Sequence, residues 1–279
     1  MKKSLFIILS LLVTSSAFAK LNIIVSIQPQ LEFISKIGGD KVETSLMVLP
    51  SKSPHTYEPK PSQMIDISRA NLYLAMGVEF EKVWLDKFKN QNRKLIIRDI
   101  TTGIKRVAMS QHHKNETALD PHIWVDPINV KQIAKNIFEA LSRLDSKNTN
   151  FYKKRLEIYL KELDQLDTEI RDILKETPKE TKFMVFHPSW GYFAKRYNLK
   201  QLAIEIEGKR PKPKQLIHII KEARRERVKA IFTQPEFPDE VAKTIAKELG
   251  ITVIKSSPLT KDWAGNLKKL AKAIAEGNR

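Results

Sequence analysis

Tyr152, Leu156, Tyr159, Leu163, Leu166, Ile170 and Ile173 recur at alternating spacings of four and three, which places all seven on one stripe of an α-helix. At roughly 1.5 Å per residue, a helix from about Thr149 to Thr177 is about 40 Å long. A rod of that length can lie along two lobes. On both sides of it, short apolar runs alternate with amphipathic stretches, the pattern of βα units around a mainly parallel sheet. In the first half, strands are expected at Asn22–Val25, Glu43–Val48, Leu72–Ala75 and Lys94–Ile97, with helices near Gln28–Ile37, Pro61–Arg69 and Phe80–Lys89. The second half repeats the arrangement, with strands at Lys182–Phe186, Gln201–Ile206, Ala230–Thr233 and Thr252–Ile254. Its helices fall near Ser189–Tyr197, Lys212–Arg227, Pro238–Leu249 and Lys261–Ala275. A shorter helix precedes the long one, with Asp126 as N-cap, Pro127 at its first position and an end near Leu144.

The expected fold class is α/β: two similar lobes, each with a mainly parallel four-stranded sheet, bridged by one long helix. The N-terminal lobe spans residues 20–127, the connecting helices 128–177 and the C-terminal lobe 178–279. A rigid connector of this kind predicts small lobe movements rather than wide hinge opening.

Residues 1–19 read as a secretory signal: Lys2 and Lys3 lead into an apolar run from Leu5 to Val13 and then Ala17-Phe18-Ala19, a small-x-small cleavage site. That run is too short to span a bilayer. The chain has no cysteine, so neither a disulfide framework nor a lipidated cysteine at the processing site is expected. The expected product is a free periplasmic protein and a monomer. Without residues 1–19 the net charge falls from +17 to +15 over 260 residues. Nucleic-acid binding is not expected, because the basic residues are spread along solvated helix faces and mixed with acids, as Glu222 and Glu226 are within Lys221–Lys229.

Of the six histidines, His55, His122 and His187 sit beside prolines in turns: Ser53-Pro54-His55, Asp120-Pro121-His122 and Phe186-His187-Pro188. Ligands of open α/β sheets bind beyond the carboxyl ends of the strands. All three histidines follow a strand end, two in the first lobe and one in the second, so the inter-lobe cleft is where they can meet. Three neutral imidazoles can hold one Zn²⁺ and leave a position to spare. The turn Lys255-Ser256-Ser257-Pro258 lies on the same rim. His218, flanked by Ile217 and Ile219 in the Lys212–Arg227 helix, reads as structural.

These motifs resemble a known family. Ser53-Pro54-His55-Thr56-Tyr57-Glu58-Pro59, Asp120-Pro121-His122-Ile123-Trp124-Val125-Asp126-Pro127 and Phe186-His187-Pro188-Ser189-Trp190-Gly191-Tyr192-Phe193 are similar to the three ligand motifs of the zinc and manganese solute-binding proteins that feed ABC importers. The resemblance covers essentially the whole chain after residue 19, including Phe232-Thr233-Gln234-Pro235-Glu236-Phe237. It implies a metal ion bound between two lobes by His55, His122 and His187 and delivered to a membrane permease, with zinc uptake the expected role.

One departure concerns the fourth ligand. Many relatives carry an Asp-Pro-Leu turn after the last strand, where this chain has Ser257-Pro258-Leu259. A neutral hydroxyl is a poor zinc donor, which leaves water, Ser257, Glu205 or Glu207 for that position. Imidazole at His187, where manganese-specific relatives often carry a carboxylate, tilts the choice from Mn²⁺ to Zn²⁺. Manganese or iron transport is the alternative within the class. His112 and His113, in the polar loop Met109–Leu119, resemble a shortened histidine-rich loop and are candidate auxiliary ligands.

An enzyme is not expected, although three histidines plus water also describe a zinc hydrolase. The sequence has no His-Glu-x-x-His helix, no Gly-x-Ser-x-Gly elbow and no Gly-rich phosphate loop. Glu58 and Asp120 read as carboxylates that orient an imidazole. An adhesin role, a label some relatives carry, has no separate support in these residues.

Overall fold

The computed structural model describes residues 20–109, 119–206 and 209–277. Residues 1–19, the His112 and His113 pair and Glu207 lie outside the described residues.

In chain order the elements are β1 (Leu21–Val25), α1 (Pro29–Gly38), β2 (Val42–Leu46), α2 (Pro61–Arg69), β3 (Leu72–Ala75), α3 (Glu79–Gln91), β4 (Ile96–Asp99), α4 (Pro127–Leu144), α5 (Thr149–Leu174), β5 (Lys182–Val185), α6 (Gly191–Arg196), β6 (Lys200–Ala203), α7 (Pro213–Arg225), β7 (Ala230–Thr233), α8 (Glu240–Leu249), β8 (Thr252–Lys255) and α9 (Trp263–Glu276). The strands form two four-stranded sheets, in the orders β2-β1-β3-β4 and β6-β5-β7-β8, and every pair is parallel. The second lobe therefore repeats the topology of the first. β3 and β7, with neighbours on both sides, are buried at all four positions, as expected of parallel strands covered on both faces. The edge strands β2, β4, β6 and β8 are each partly open to solvent.

Strand and helix ends shift from the expected ones where the chain turns into the rim. The strand expected at Glu43–Val48 is β2, ending at Leu46, although Met47 and Val48 still donate backbone bonds to Val25 and Ser26. The strand expected at Gln201–Ile206 ends at Ala203, because Ile206 leaves the sheet to bridge Lys209. The helix expected from Ser189 starts at Gly191, since the Ser189 backbone N–H is used in the turn to His187.

Helix α5 is 26 residues long and packs on the preceding helix α4, on α1 of the first lobe and on α9 of the second. Its stripe is buried from Tyr152 to Ile170, but in the last turn Leu174 replaces the expected Ile173. A helix of 3.6 residues per turn drifts against a 3.5-residue repeat, and that drift brings the next residue inward. One hydrophobic core runs from the first sheet through α4, α5 and α9 to Phe183 and Val185 of β5. The alternate residues Met184 and Phe186 point into a second core shared with Ile219 of α7 and Ile245 of α8.

The loop carrying His122 is pinned to the second lobe. Trp124 Nε1 donates to the Pro258 carbonyl at 2.9 Å, and Trp263 Nε1 donates to the Trp124 carbonyl at 2.8 Å. The Tyr192 hydroxyl donates to the Asp120 carbonyl and accepts from Val107 N, both at 3.1 Å. Asp126 caps α4 by accepting from Ile128 N at 2.9 Å, and the same carboxylate receives Arg196 through Nε and a terminal nitrogen at 2.9–3.0 Å. These bonds favour small lobe movements.

Asp126 is almost fully buried, so both of its jobs contribute to stability. Asp126→Asn keeps a cap acceptor and loses the ion pair, and is expected to cost about 2 kcal/mol; Asp126→Ala loses both, about 3 kcal/mol. Urea unfolding of the metal-free protein measures the two, and equal losses would mean that the cap contributes nothing.

Candidate metal centre

The structure brings the three turn histidines together. The His55 and His187 ring centroids lie 5.4 Å apart, and those of His122 and His187 lie 5.2 Å apart. Two imidazoles on one tetrahedral ion, with Zn–N about 2.0–2.1 Å, put their ring centres about 5 Å apart. Both separations are close to that distance. As the side chains stand, no three or more His, Cys, Asp or Glu among the described residues are placed to hold a metal ion. Closing on an ion takes a further adjustment, and His55, with 35% of its side chain exposed, has room to make it.

Each histidine has a carboxylate at its Nδ1. His122 Nδ1 lies 2.7 Å from Asp120 Oδ1, which also accepts the His122 backbone N–H at 2.9 Å. His187 Nδ1 lies 2.7 Å from Glu205 Oε1. His55 Nδ1 is 3.7 Å from Glu79 Oε2, a looser pairing of half-exposed groups. A carboxylate at Nδ1 holds the proton there and leaves Nε2 with its lone pair free, the usual support of a metal-bound imidazole. His187 Nε2 is buried and has no hydrogen-bond partner. Partial burial lowers the His55 pKa from its ordinary value, against the opposing pull of Glu79, and so favours the neutral ring.

Further contacts fix the His187 turn. Its ring stacks on Phe237 at 4.7 Å between centroids. The Gln234 side chain donates to the His187 carbonyl at 3.0 Å and to Ser189 Oγ at 2.9 Å. A Cβ on Gly191 would stand 2.7 Å from Asp120 Oδ2, so only glycine lets α6 approach the carboxylate that holds His122.

The cavity they line is also walled by Pro54, Val78, Pro121, Trp124, Phe237, Pro258 and Leu259, and its volume is about 20 Å³. That is room for one water-sized guest and far too little for an organic substrate. A larger trough of about 620 Å³ near Lys195 and Lys200 is open to solvent and gathers no histidine.

The residues considered for the fourth position are placed differently from one another. Glu205 stands behind His187 on Nδ1, and the buried hydroxyl of Ser257 donates to Glu236 Oε1 at 2.7 Å. Asp120 occupies the orienting position expected of it, whereas Glu58 is exposed and the carboxylate beside His55 is Glu79. His218 is exposed on α7, away from the cavity.

Glu79, Gln234 and Glu236 were not expected at the site. Glu236 lines the cavity, and burial pushes its carboxyl up against the lowering effect of the Ser257 hydroxyl. The available signal was position: Gln234 and Glu236 follow β7 on the same rim as His187 follows β5. Another carboxylate, the buried Glu81, ties the rim of the first lobe by accepting from Ser26 Oγ and from Met76 N and Gly77 N at 2.7 and 2.6 Å. It holds the turn that presents Val78 and Glu79 to the cavity.

Two parallel α/β lobes on a helical spine, with imidazoles meeting at their seam, define a metal-binding substrate-binding protein of an ABC transporter. The chain belongs to the family described as ZnuA, zinc-uptake complex component A, periplasmic, whose model matches residues 23–277. A crystal structure of ZnuA superposes with a TM-score of 0.89 at 40% identity, over 94% of this chain and all of that one. The high-affinity zinc uptake system protein ZnuA of Bacillus subtilis is 28% identical over 245 residues, 83% of this chain and 76% of the relative. The manganese ABC transporter substrate-binding lipoprotein PsaA of Streptococcus mitis is 29% identical over 235 residues, 80% of this chain and 74% of the relative.

The carboxylates on Nδ1 generate a prediction. Glu205→Gln and Asp120→Asn are each expected to weaken metal binding on the order of 10- to 100-fold, without abolishing it. Competition against a chelator of known affinity measures this; wild-type affinity in both variants would show that the carboxylates do not support the imidazoles.

Proposed function

We infer that the protein captures Zn²⁺ between its lobes through His55, His122 and His187 and delivers it to the membrane permease of an ABC importer, outside the cytoplasm. The observation that carries this reading is the convergence of three imidazoles from both lobes on one ion-sized cavity. Borderline nitrogen donors favour Zn²⁺ over the harder Mn²⁺. The similarity to a ZnuA structure at 40% identity supports the same choice, while the manganese relative keeps Mn²⁺ as the alternative cargo. The small cavity favours binding over catalysis, since hydrolysis would need space for a substrate beside the ion. The permease would dock across the rims of both lobes, where the ion is held. Among the described residues no helix is long and apolar enough to cross a membrane.

Because Zn²⁺ outranks Mn²⁺ at most nitrogen sites, affinity alone does not identify the cargo. Elemental analysis of the protein purified from its own periplasm is expected to find zinc; dominant manganese would overturn the assignment. Protons compete with metal for imidazole nitrogen, whose reference pKa is about 6.5, and His55 lies below that. Zinc affinity is therefore expected to hold between pH 8 and 7 and to fall once the pH drops below about 6. A flat affinity from pH 7 to 5 would exclude the three-histidine site.

A further inference from the structure

Of the four carboxylates around the histidines, Asp120 and Glu205 are hydrogen-bonded to the Nδ1 of His122 and His187 at 2.7 Å, and the half-exposed Glu79 lies 3.7 Å from that of His55. Glu236 pairs with no imidazole Nδ1. It comes from the loop after β7, next to the loop after β5 that carries His187, and both residues line the same cavity. Its Oε2 is buried without a hydrogen-bond partner, as is His187 Nε2. A buried carboxylate oxygen left unsatisfied is costly unless a cation completes it.

Ser257 explains why the carboxylate points where it does. The Ser257 hydroxyl oxygen accepts the Leu259 backbone N–H at 3.0 Å, which directs its own proton to Glu236 Oε1 at 2.7 Å. One carboxylate oxygen is thereby held and the other left free. Ser257 stands in the turn after β8, where the family resemblance leads one to expect an aspartate ligand. The serine is thus a support for a negative charge supplied by the neighbouring loop.

We propose that Glu236 Oε2 is the fourth protein donor to the metal and that Ser257 is its positioning residue. The proposal rests on the reading that His55, His122 and His187 bind the ion. It gives the site three neutral nitrogens and one anionic oxygen, which offsets half the charge of a divalent cation in a cavity walled by apolar side chains. Glu79 also lines the cavity, but it is 38% exposed and lies beside His55 Nδ1, the arrangement of the orienting carboxylates.

The test is zinc competition against a chelator, together with the visible spectrum of Co²⁺ bound in place of zinc, which reports the donor set directly. Glu236→Gln, nearly identical in shape, is expected to weaken zinc binding at least about tenfold and to change the Co²⁺ bands. Ser257→Ala is expected to give a smaller loss, of a few-fold. The double variant Glu236→Gln with Ser257→Asp returns a carboxylate to the β8 turn and is expected to recover much of the affinity. The proposal is overturned if Glu236→Gln keeps wild-type affinity and an unchanged Co²⁺ spectrum while His187→Ala loses zinc; the histidine reading then stands without it. It is also overturned if Glu79→Gln changes the spectrum and Glu236→Gln does not. Equal zinc affinity in wild type and His187→Ala would instead refute the histidine site itself.

Discussion

Asp126 caps α4 and grips Arg196 of the opposite lobe with the same carboxylate. The rest of the site depends on that double hold. Imidazoles from different lobes can share one ion only if their backbones are fixed to a fraction of an ångström, and His122 is four residues from Asp126. The Trp124–Pro258 and Trp263–Trp124 bonds close the same seam from its other side. Beneath them, the core continuous through α5 couples both sheets to one spine. Pins and spine together turn two lobes into one frame.

Within that frame, local charge outweighs the global field. The chain carries a formal +17, which disfavours a cation at long range. Yet Glu79, Asp120, Glu205 and Glu236 all stand at the histidines. At physiological salt, exposed charges beyond about 8 Å are largely screened, whereas groups in contact inside a low-dielectric cavity are not. At the proposed site the near carboxylates therefore outweigh the lysines on the outer helix faces. The orienting carboxylates add directionality, because each fixes which imidazole nitrogen is free.

Much of the architecture was legible because it rests on periodicity. The α5 stripe, the apolar runs of β3 and β7, and the Asp126-Pro127 start of α4 are local patterns, and they survive folding nearly unchanged. The ends of β2, β6 and α6 were not legible to the residue, because each is decided by a rim turn whose backbone bonds go to distant segments. The histidines were legible for a mixed reason: the prolines beside them mark turns, and turns at strand ends converge in this fold class. Glu79 and Glu236 carry no such mark. A glutamate three or four residues past a strand looks like any solvated loop residue until its neighbours are known.

The amino-acid order by itself therefore determined two parallel α/β lobes, the long helix between them and the three imidazoles at strand ends, since each is written in residues close together in sequence. Only the tertiary structure decided which carboxylate serves which role. Glu205, sequence neighbour of nothing at the site, stands behind His187, and Ser257 holds Glu236 across a gap of 21 residues. Hydrogen-bond partners of that kind are set by how two sheets and a helix pack, and packing distances have no counterpart in local sequence spacing.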